Sequence, residues 1–174
     1  MINARENMGG GFASWMATLN GTAHRRALSA FMLLVFAHWA EHIAQAYQVF
    51  VLGWARSAAG GLLGLWLPFL ATSEVLHFAY NFTLFLGLAC LRPGFQGRAR
   101  AWWTVALVVQ GWHLFEHTLL QGQWLAGFYL FGATQQTSIL QLWIPRVELH
   151  FLYNTVVFIP MLPALFFYRQ VHHR

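Results

Sequence analysis

Four long apolar stretches constrain the fold of this chain more than any other feature of its sequence. They cover roughly residues 29–52, 66–90, 102–124 and 141–167, and each is long enough for a helix of about 20 residues that crosses a bilayer. Charged residues make up only 9% of the chain, against about 25% of a soluble domain. The sequence therefore predicts an all-α integral membrane protein, a bundle of four transmembrane helices.

The positions of the basic residues predict the orientation. All 10 basic residues are arginines. Eight of them fall in the N-terminal tail, between the second and third stretches, or in the C-terminal tail: Arg5, Arg25, Arg26, Arg92, Arg98, Arg100, Arg169 and Arg174. These segments share one side of a four-span topology, so the positive-inside bias predicts cytoplasmic termini, in a bacterial inner membrane. Outside the predicted spans, no stripe of basic residues has aromatic residues between them, so nucleic acid is not an expected partner.

At 174 residues the chain is long enough for one domain. We expect an N-terminal tail over 1–28, a single transmembrane domain over 29–168 and a C-terminal tail over 169–174. The first apolar stretch is too long for the core of a signal peptide, so we expect it to be retained as a span. Cys90 is the one cysteine, which excludes a disulfide within the chain.

The chain repeats itself at a period of about 75 residues, judged from three pairs of matching motifs. H-W-A-E-H at 38–42 matches H-L-F-E-H at 113–117, L-W-L-P at 65–68 matches L-W-I-P at 142–145, and L-H-F-A-Y-N at 76–81 matches L-H-F-L-Y-N at 149–154. The sequence therefore predicts two helical hairpins, one over about 29–92 and one over about 101–168. Because each hairpin has two spans, both insert in the same orientation, as a parallel repeat.

Six histidines of these motifs are expected to meet inside the bundle. The histidines of each H-x-x-E-H motif lie on one helix face together with its glutamate. The histidine of each L-H-F-x-Y-N motif lies roughly ten residues into its predicted span, at a similar depth near the bilayer centre. Inward side chains at one level of a four-helix bundle converge on one site. The set is His38, His42, His77, His113, His117 and His150.

This inventory predicts a dinuclear metal site, because imidazole and carboxylate are ligands that transition metals accept. We expect the six histidines to hold two ions together with Glu41, Glu116 and Glu74. Glu41 and Glu116 are the candidate catalytic residues, as bridges between the ions or as proton acceptors beside them. Glu74 stands three residues before His77, the Glu-x-x-His relation of dimetal carboxylate bundles.

Further polar residues are expected to orient these ligands through hydrogen bonds. They are Tyr80, Asn81, Tyr153 and Asn154, three and four residues beyond His77 and His150. Glu148 is two residues from His150 and therefore about 200° around the helix. We expect Glu148 to pair with Arg56 or Arg146, or to face a subunit partner. A local distortion of the helix after Pro145 would instead place Glu148 among the residues that orient the ligands.

The predicted function is that of a membrane oxidoreductase, an oxygen-dependent oxidase or hydroxylase of a lipophilic substrate. The carboxylates, and the lack of Met or Cys ligands, favour iron over copper, and zinc would change the chemistry to hydrolysis. The ligand types are similar to those of His-rich integral-membrane non-haem metal oxygenases and of dimetal four-helix carboxylate proteins. Expected partners are the lipid bilayer, an external electron donor, and a second copy or a larger membrane complex.

Other functions use parts of the same pattern. A b-type haem between two histidines would make the chain an electron-transfer subunit, but it gives no reason for a glutamate directly before His42 and His117. A metal or proton transporter would use ionisable groups at mid-depth, although four spans would need a dimer for alternating access. H-x-x-E-H also occurs in zinc peptidases, which need only one copy and an open coordination position. A purely structural polar network would gain little, because interhelical polar bonds are weak.

Overall fold

The computed structural model describes residues 4–69 and 73–172. Helices dominate these residues, and no strand occurs among them. The α-helices with defined bounds are α1 Ala4–Asn20, α2 His24–Phe50, α3 Gly61–Trp66, α4 Glu74–Leu91, α5 Gly97–Ala126 and α6 Arg146–His172. Short 3-10 helices at Arg92–Gly94, Leu130–Gly132 and Leu140–Leu142 lie in the connections. The all-α prediction is confirmed for the described residues.

Three helices are long and apolar enough to cross a membrane: His24–Phe50, Glu74–Gly94 and Arg146–Val171. They match the first, second and fourth predicted spans. The third predicted span lies within α5, a helix of 30 residues. This helix is not among the three, and it carries buried polar residues such as Gln110, Glu116 and Gln123.

The four long helices contact one another in a closed order. Helix α5 packs against α4 and α6, α6 packs against α2, and α2 contacts α4. Side chains from all four helices therefore reach a common interior.

The interior has an apolar zone at the end where α2 and α5 begin. Trp103 is fully buried there and donates a hydrogen bond from its indole N–H to the carbonyl of Leu88, at 2.9 Å. Phe95 stacks on the Trp103 ring with centroids 4.3 Å apart. Large buried apolar side chains of this kind dominate the free energy of folding. The buried polar residues of the motifs lie toward the other end of the bundle.

Helix α1 lies within the segment that the sequence assigned to the N-terminal tail. Its last residue, Asn20, donates from its amide to the carbonyl of Cys90 at 2.9 Å and accepts from the N–H of Gly94 at 2.8 Å. These two hydrogen bonds fasten the end of α1 to the last turn of α4 and to the connection that follows it. The sequence pattern gave no sign of this helix.

Helices α4 and α6 begin later than the predicted spans. Ser73 caps α4, since its hydroxyl accepts a hydrogen bond from the N–H of Leu76 at 3.3 Å. Pro145 directly precedes α6. His77 and His150 are consequently in the first turns of their helices and not ten residues inside them. The histidines thus lie near the ends of α4 and α6, beneath the two connections that precede these helices.

Candidate metal centre

Three buried histidines form a group that is positioned to bind a metal ion. They are His113 and His117 of α5 and His150 of α6, and one ring nitrogen from each lies within 4.8 Å of the others. The spacing of four residues puts His113 and His117 on the same face of α5. Each side chain of this triad is no more than 6% exposed.

The tautomer of His150 is set by its own helix. Its Nδ1 lies 2.8 Å from the carbonyl oxygen of Arg146. A carbonyl only accepts, so Nδ1 carries the proton of the neutral ring and Nε2 keeps its lone pair. Nε2 is buried without a hydrogen-bond partner among the described residues. A buried lone pair of this kind is what a metal ion satisfies, and a carbonyl on the other ring nitrogen is the usual support of a ligand histidine.

The other two imidazoles have the spacing of ligands to one ion. The Nε2 atoms of His113 and His117 lie 3.1 Å apart. Two nitrogens bound at about 2.0–2.1 Å, at angles between a right angle and the tetrahedral value, are separated by roughly 2.9–3.4 Å. The gap among these side chains has a volume of about 10 Å³, enough for about one water molecule or ion. The triad therefore fits a single ion.

The histidines of the first half lie beside the triad. The Nε2 atoms of His38 and His42 are 3.0 Å apart, and Nδ1 of His42 lies 2.8 Å from the side-chain oxygen of Gln45. His77 holds its Nδ1 at 2.8 Å from the carbonyl of Ser73, as His150 does with Arg146.

Ring contacts join the two groups of histidines into one cluster. The rings of His42 and His150 lie 5.6 Å apart, and those of His77 and His117 lie 6.2 Å apart. The structure thus brings all six predicted histidines together. Among the described residues, the triad is the group whose ring nitrogens all lie close enough to share one ion.

The two predicted tyrosines stack on histidines. The ring of Tyr80 lies 3.8 Å from that of His38, and the ring of Tyr153 lies 4.4 Å from that of His113. The Tyr80 hydroxyl donates to the carbonyl of Leu34, at 2.9 Å. These contacts fix the ring planes of two imidazoles.

The two predicted asparagines bond to the helix backbone. Asn81 donates to the carbonyl of His77 at 2.9 Å, and Asn154 donates to the carbonyl of His150 at 2.8 Å. Gln110 of α5 donates to the side-chain oxygen of Asn81 at 3.0 Å. The asparagines therefore bind the backbone carbonyls of the two histidines and not their imidazole nitrogens.

The structure gives Glu116 and Glu41 partners in the connections, and neither belongs to the triad. Glu116 accepts from the hydroxyl of Ser138 and from the N–H of Leu140, each at 2.8 Å. Glu41 accepts from the N–H of Leu63 at 3.0 Å. Both carboxylates hold a connection against the histidine cluster.

The remaining two predicted carboxylates pair with arginines. Glu148 accepts from Nε of Arg56 at 2.7 Å, which is one of the partners expected from the sequence. Glu74 pairs with Arg146 and is 8% exposed. Hydrogen bonding to Glu148 raises the pKa of the Arg56 guanidinium above its ordinary value, so this side chain stays charged.

Two buried glutamines that the sequence analysis did not single out also fasten the connections. Gln48 donates to the carbonyl of Gly61 at 3.1 Å and accepts from its N–H at 2.9 Å. Gln123 donates to the carbonyl of Thr137 at 2.9 Å and accepts from the N–H of Leu130 at 3.0 Å. Each glutamine stands two helical turns beyond the motif glutamate of its own helix, and this shared spacing is the signal that could have identified them.

The described residues thus define an all-helical protein with a buried histidine cluster and three helices that are long and apolar enough to cross a membrane. No family model matches the chain, and no curated protein or solved structure matches it either. The geometry of the cluster is therefore the basis on which a function is proposed.

Proposed function

We propose that this chain is an integral membrane metalloprotein, an oxidoreductase whose transition-metal centre lies among the six histidines and acts on a lipophilic substrate. The observation that carries the proposal is the buried Nε2 of His150, which has no hydrogen-bond partner among the described residues and shares the triad with His113 and His117. Leaving such a nitrogen unsatisfied costs about 1–3 kcal/mol. A metal ion removes this cost.

We propose four membrane crossings, with α5 as the additional span. The polar residues of α5 at Gln110, Glu116 and Gln123 are buried. Its exposed face carries apolar side chains such as Val108, at 68% exposed, and Leu125, at 70% exposed. A helix with its polar groups inside and its apolar groups outside is suited to lipid surroundings.

We propose that the two halves of the chain form a pseudo-symmetric pair. Contacts at corresponding sequence positions support this proposal. His38 and His42 are paired as His113 and His117 are, with Nε2 separations of 3.0 and 3.1 Å. Tyr80 stacks on His38, and Tyr153 stacks on His113.

A second ion is proposed beside His38, His42 and His77. Nδ1 of His42 faces the Gln45 oxygen and Nδ1 of His77 faces a carbonyl, so both neutral rings turn an unprotonated Nε2 away from these acceptors. The separation of 3.0 Å between His38 and His42 also matches two ligands of one ion. Binding would draw His77 toward this pair.

The three ligands of the triad are imidazoles, and they favour metal ions that bind nitrogen. Iron, copper and zinc all accept nitrogen ligands. The expectation of iron depended on the carboxylates, and these now have other partners in Ser138, Leu140, Leu63 and the two arginines. An iron or copper ion supplies one-electron chemistry when bound. The chain's own residues orient the imidazoles and hold the connections over the cluster to exclude water.

Haem is the weaker alternative at this site. The triad encloses about 10 Å³, a space for about one water-sized group, which leaves no room for a porphyrin ring. Tyr153 and Tyr80 stack directly on His113 and His38 and occupy ring faces that a macrocycle would need.

Elemental analysis and an absorption spectrum of the detergent-purified protein test the proposal. We expect one or two iron or copper ions per chain and no Soret band. His150→Ala should lower the metal content by at least one ion per chain. His24→Ala is the matched control, because His24 is also buried, at 3% exposed, but packs on Phe95 at the apolar end; it should keep the metal.

Three results would contradict the proposal. Full metal content in His150→Ala would exclude the triad as a ligand set. One haem iron with a Soret band would make the chain a cytochrome. A metal-free protein that moves metal ions or protons across vesicles would favour the transport function.

A further inference from the structure

A cavity of about 430 Å³ lies between α2 and α4, beside the histidines of the first half. Its polar wall is formed by His38, Glu41, His42, Gln45 and His77. A volume in this range suits a small organic molecule.

The corresponding region of the second half is closed. Residues at matching positions, such as His113, Glu116 and Tyr153, enclose only about 10 Å³ there. Leu149 is 1% exposed, whereas its counterpart Leu76 is 40% exposed. The two halves therefore differ in access to the cluster although their motifs match.

Side-chain size differs between the halves at two positions. Ala79 lines the open cavity, and Leu152 takes its place in the second L-H-F-x-Y-N motif. Gln45 lines the open cavity, and Leu120, 2% exposed, takes its place in the second half. The first half thus has a smaller side chain at one position and a polar side chain at the other.

The mouth of the cavity lies on the apolar outer surface of α2 and α4. Leu34 and Leu76, which line it, are 37% and 40% exposed. Both helices are long and apolar enough to cross a membrane. In a bilayer such a mouth opens sideways to the lipid, so a molecule that enters must itself be lipophilic.

The polar wall favours a ligand that donates a hydrogen bond. Glu41 lines the cavity with carboxylate oxygens, which accept hydrogen bonds. A carboxylate oxygen pairs with the hydrogen of a hydroxyl group, whereas an ether oxygen has no hydrogen to donate.

We propose that this cavity binds a lipophilic molecule with a terminal hydroxyl group, an alcohol or a phenol that enters from the bilayer. The inference rests on the proposed function in that it names the substrate class of the same centre. The hydroxyl donates to the Glu41 carboxylate, and the apolar remainder extends past Ala79 toward the mouth.

Calorimetric titration of the protein in lipid nanodiscs tests this assignment, with empty nanodiscs subtracted. The probes are 4-heptylphenol and its methyl ether, 4-heptylanisole, which differ in the hydroxyl donor. We expect the phenol to bind about tenfold more tightly than the ether, since one hydrogen bond accounts for about such a factor. Equal affinities would overturn the hydroxyl class.

The matched variants are Ala79→Leu and Leu152→Ala. Ala79→Leu gives the first half the side chain of the second and should weaken phenol binding at least tenfold. Leu152→Ala makes the reverse change on the closed half and should leave the affinity within a factor of two. Unchanged binding in Ala79→Leu would overturn the location.

The titration is repeated on chelator-treated protein, so that the two proposals can fail separately. The cavity wall consists of protein atoms, and phenol binding should persist at a reduced or equal affinity without metal. A protein that contains no metal but binds the phenol would overturn the proposed function and support the cavity. A metal-loaded protein that does not bind the phenol would overturn the cavity alone.

Discussion

Glu116 accepts a hydrogen bond from the backbone N–H of Leu140 at 2.8 Å, which ties the middle of α5 to the connection before α6. Its other oxygen accepts from Ser138, which is 1% exposed. Glu41 makes the corresponding contact with Leu63 in the first half. The motif glutamates therefore shape the cover of the histidine cluster whatever further role they have in its chemistry.

Glu116→Gln should destabilise the fold by about 1–3 kcal/mol, because the amide has one oxygen where the carboxylate serves two donors, and one buried donor loses its partner. Glu41→Gln is the matched variant and should have a smaller effect, since Glu41 is only half-buried and accepts from one connection amide. Denaturant unfolding in detergent measures both. An unchanged stability in Glu116→Gln would show that Ser138 and Leu140 do not depend on the carboxylate.

Removal of metal should lower the melting temperature of the wild type, because an ion that binds only the folded state stabilises it. If the free metal concentration before chelation is a hundred times the dissociation constant, the free energy of unfolding falls by about 2.7 kcal/mol. The comparison is His150→Ala, whose melting temperature should respond much less to chelator. Thermal unfolding followed by circular dichroism measures the shifts, and a response of the same size in both proteins would count against the triad.

The two ion pairs at the ends of α4 and α6 should differ in strength. Glu74 is 8% exposed and Arg146 is 39% exposed; we expect a coupling free energy on the order of 1 kcal/mol from a double-mutant cycle with Glu74→Gln and Arg146→Gln. Arg56 is 55% exposed, so its pair with Glu148 should couple more weakly and lose that coupling at high salt. A stronger coupling between Arg56 and Glu148 than between Arg146 and Glu74 would contradict this prediction.

Gly87→Ala should destabilise the contact between α2 and α4. A methyl group at this position would overlap the ring of Phe31, and overpacking of this kind costs about 1–3 kcal/mol, more than the roughly 1 kcal/mol gained in helix propensity. Gly111→Ala is the control, since its methyl would meet Phe85 at an ordinary 3.5 Å; it should be neutral or stabilising. Gly87→Ala should cost less stability in a protein that also carries Phe31→Leu, and thermal unfolding measures this difference. An equal cost with and without Phe31→Leu would show that the overlap with Phe31 is not the cause.

The positions of the long helices and the meeting of the histidines could be predicted from sequence, because both depend on periodic patterns. Hydrophobic runs fix which segments are helical, and the spacing of His113 and His117 fixes their shared face. The matching motifs then require His38, His42 and His77 to approach them from the other half. Such periodic patterns need no knowledge of distant contacts.

The partners of the carboxylates could not be predicted in this way. Glu41 and Glu116 were expected at the metal, but donors in the connections reach them first, at Leu63 and at Ser138 and Leu140. Connections without periodicity leave no pattern from which their backbone course can be inferred. The starts of α4 and α6 were missed for the same reason, since apolar residues continue through the connections before Ser73 and Pro145.

The pairing of Glu74 with Arg146 bears on how the protein is made. A chain leaves the ribosome from its N-terminus, so α4 is complete before Arg146 has been synthesised. Glu74 therefore has no contact with this arginine until α6 has been synthesised, and the contact that joins the starts of α4 and α6 forms late in the assembly of the fold.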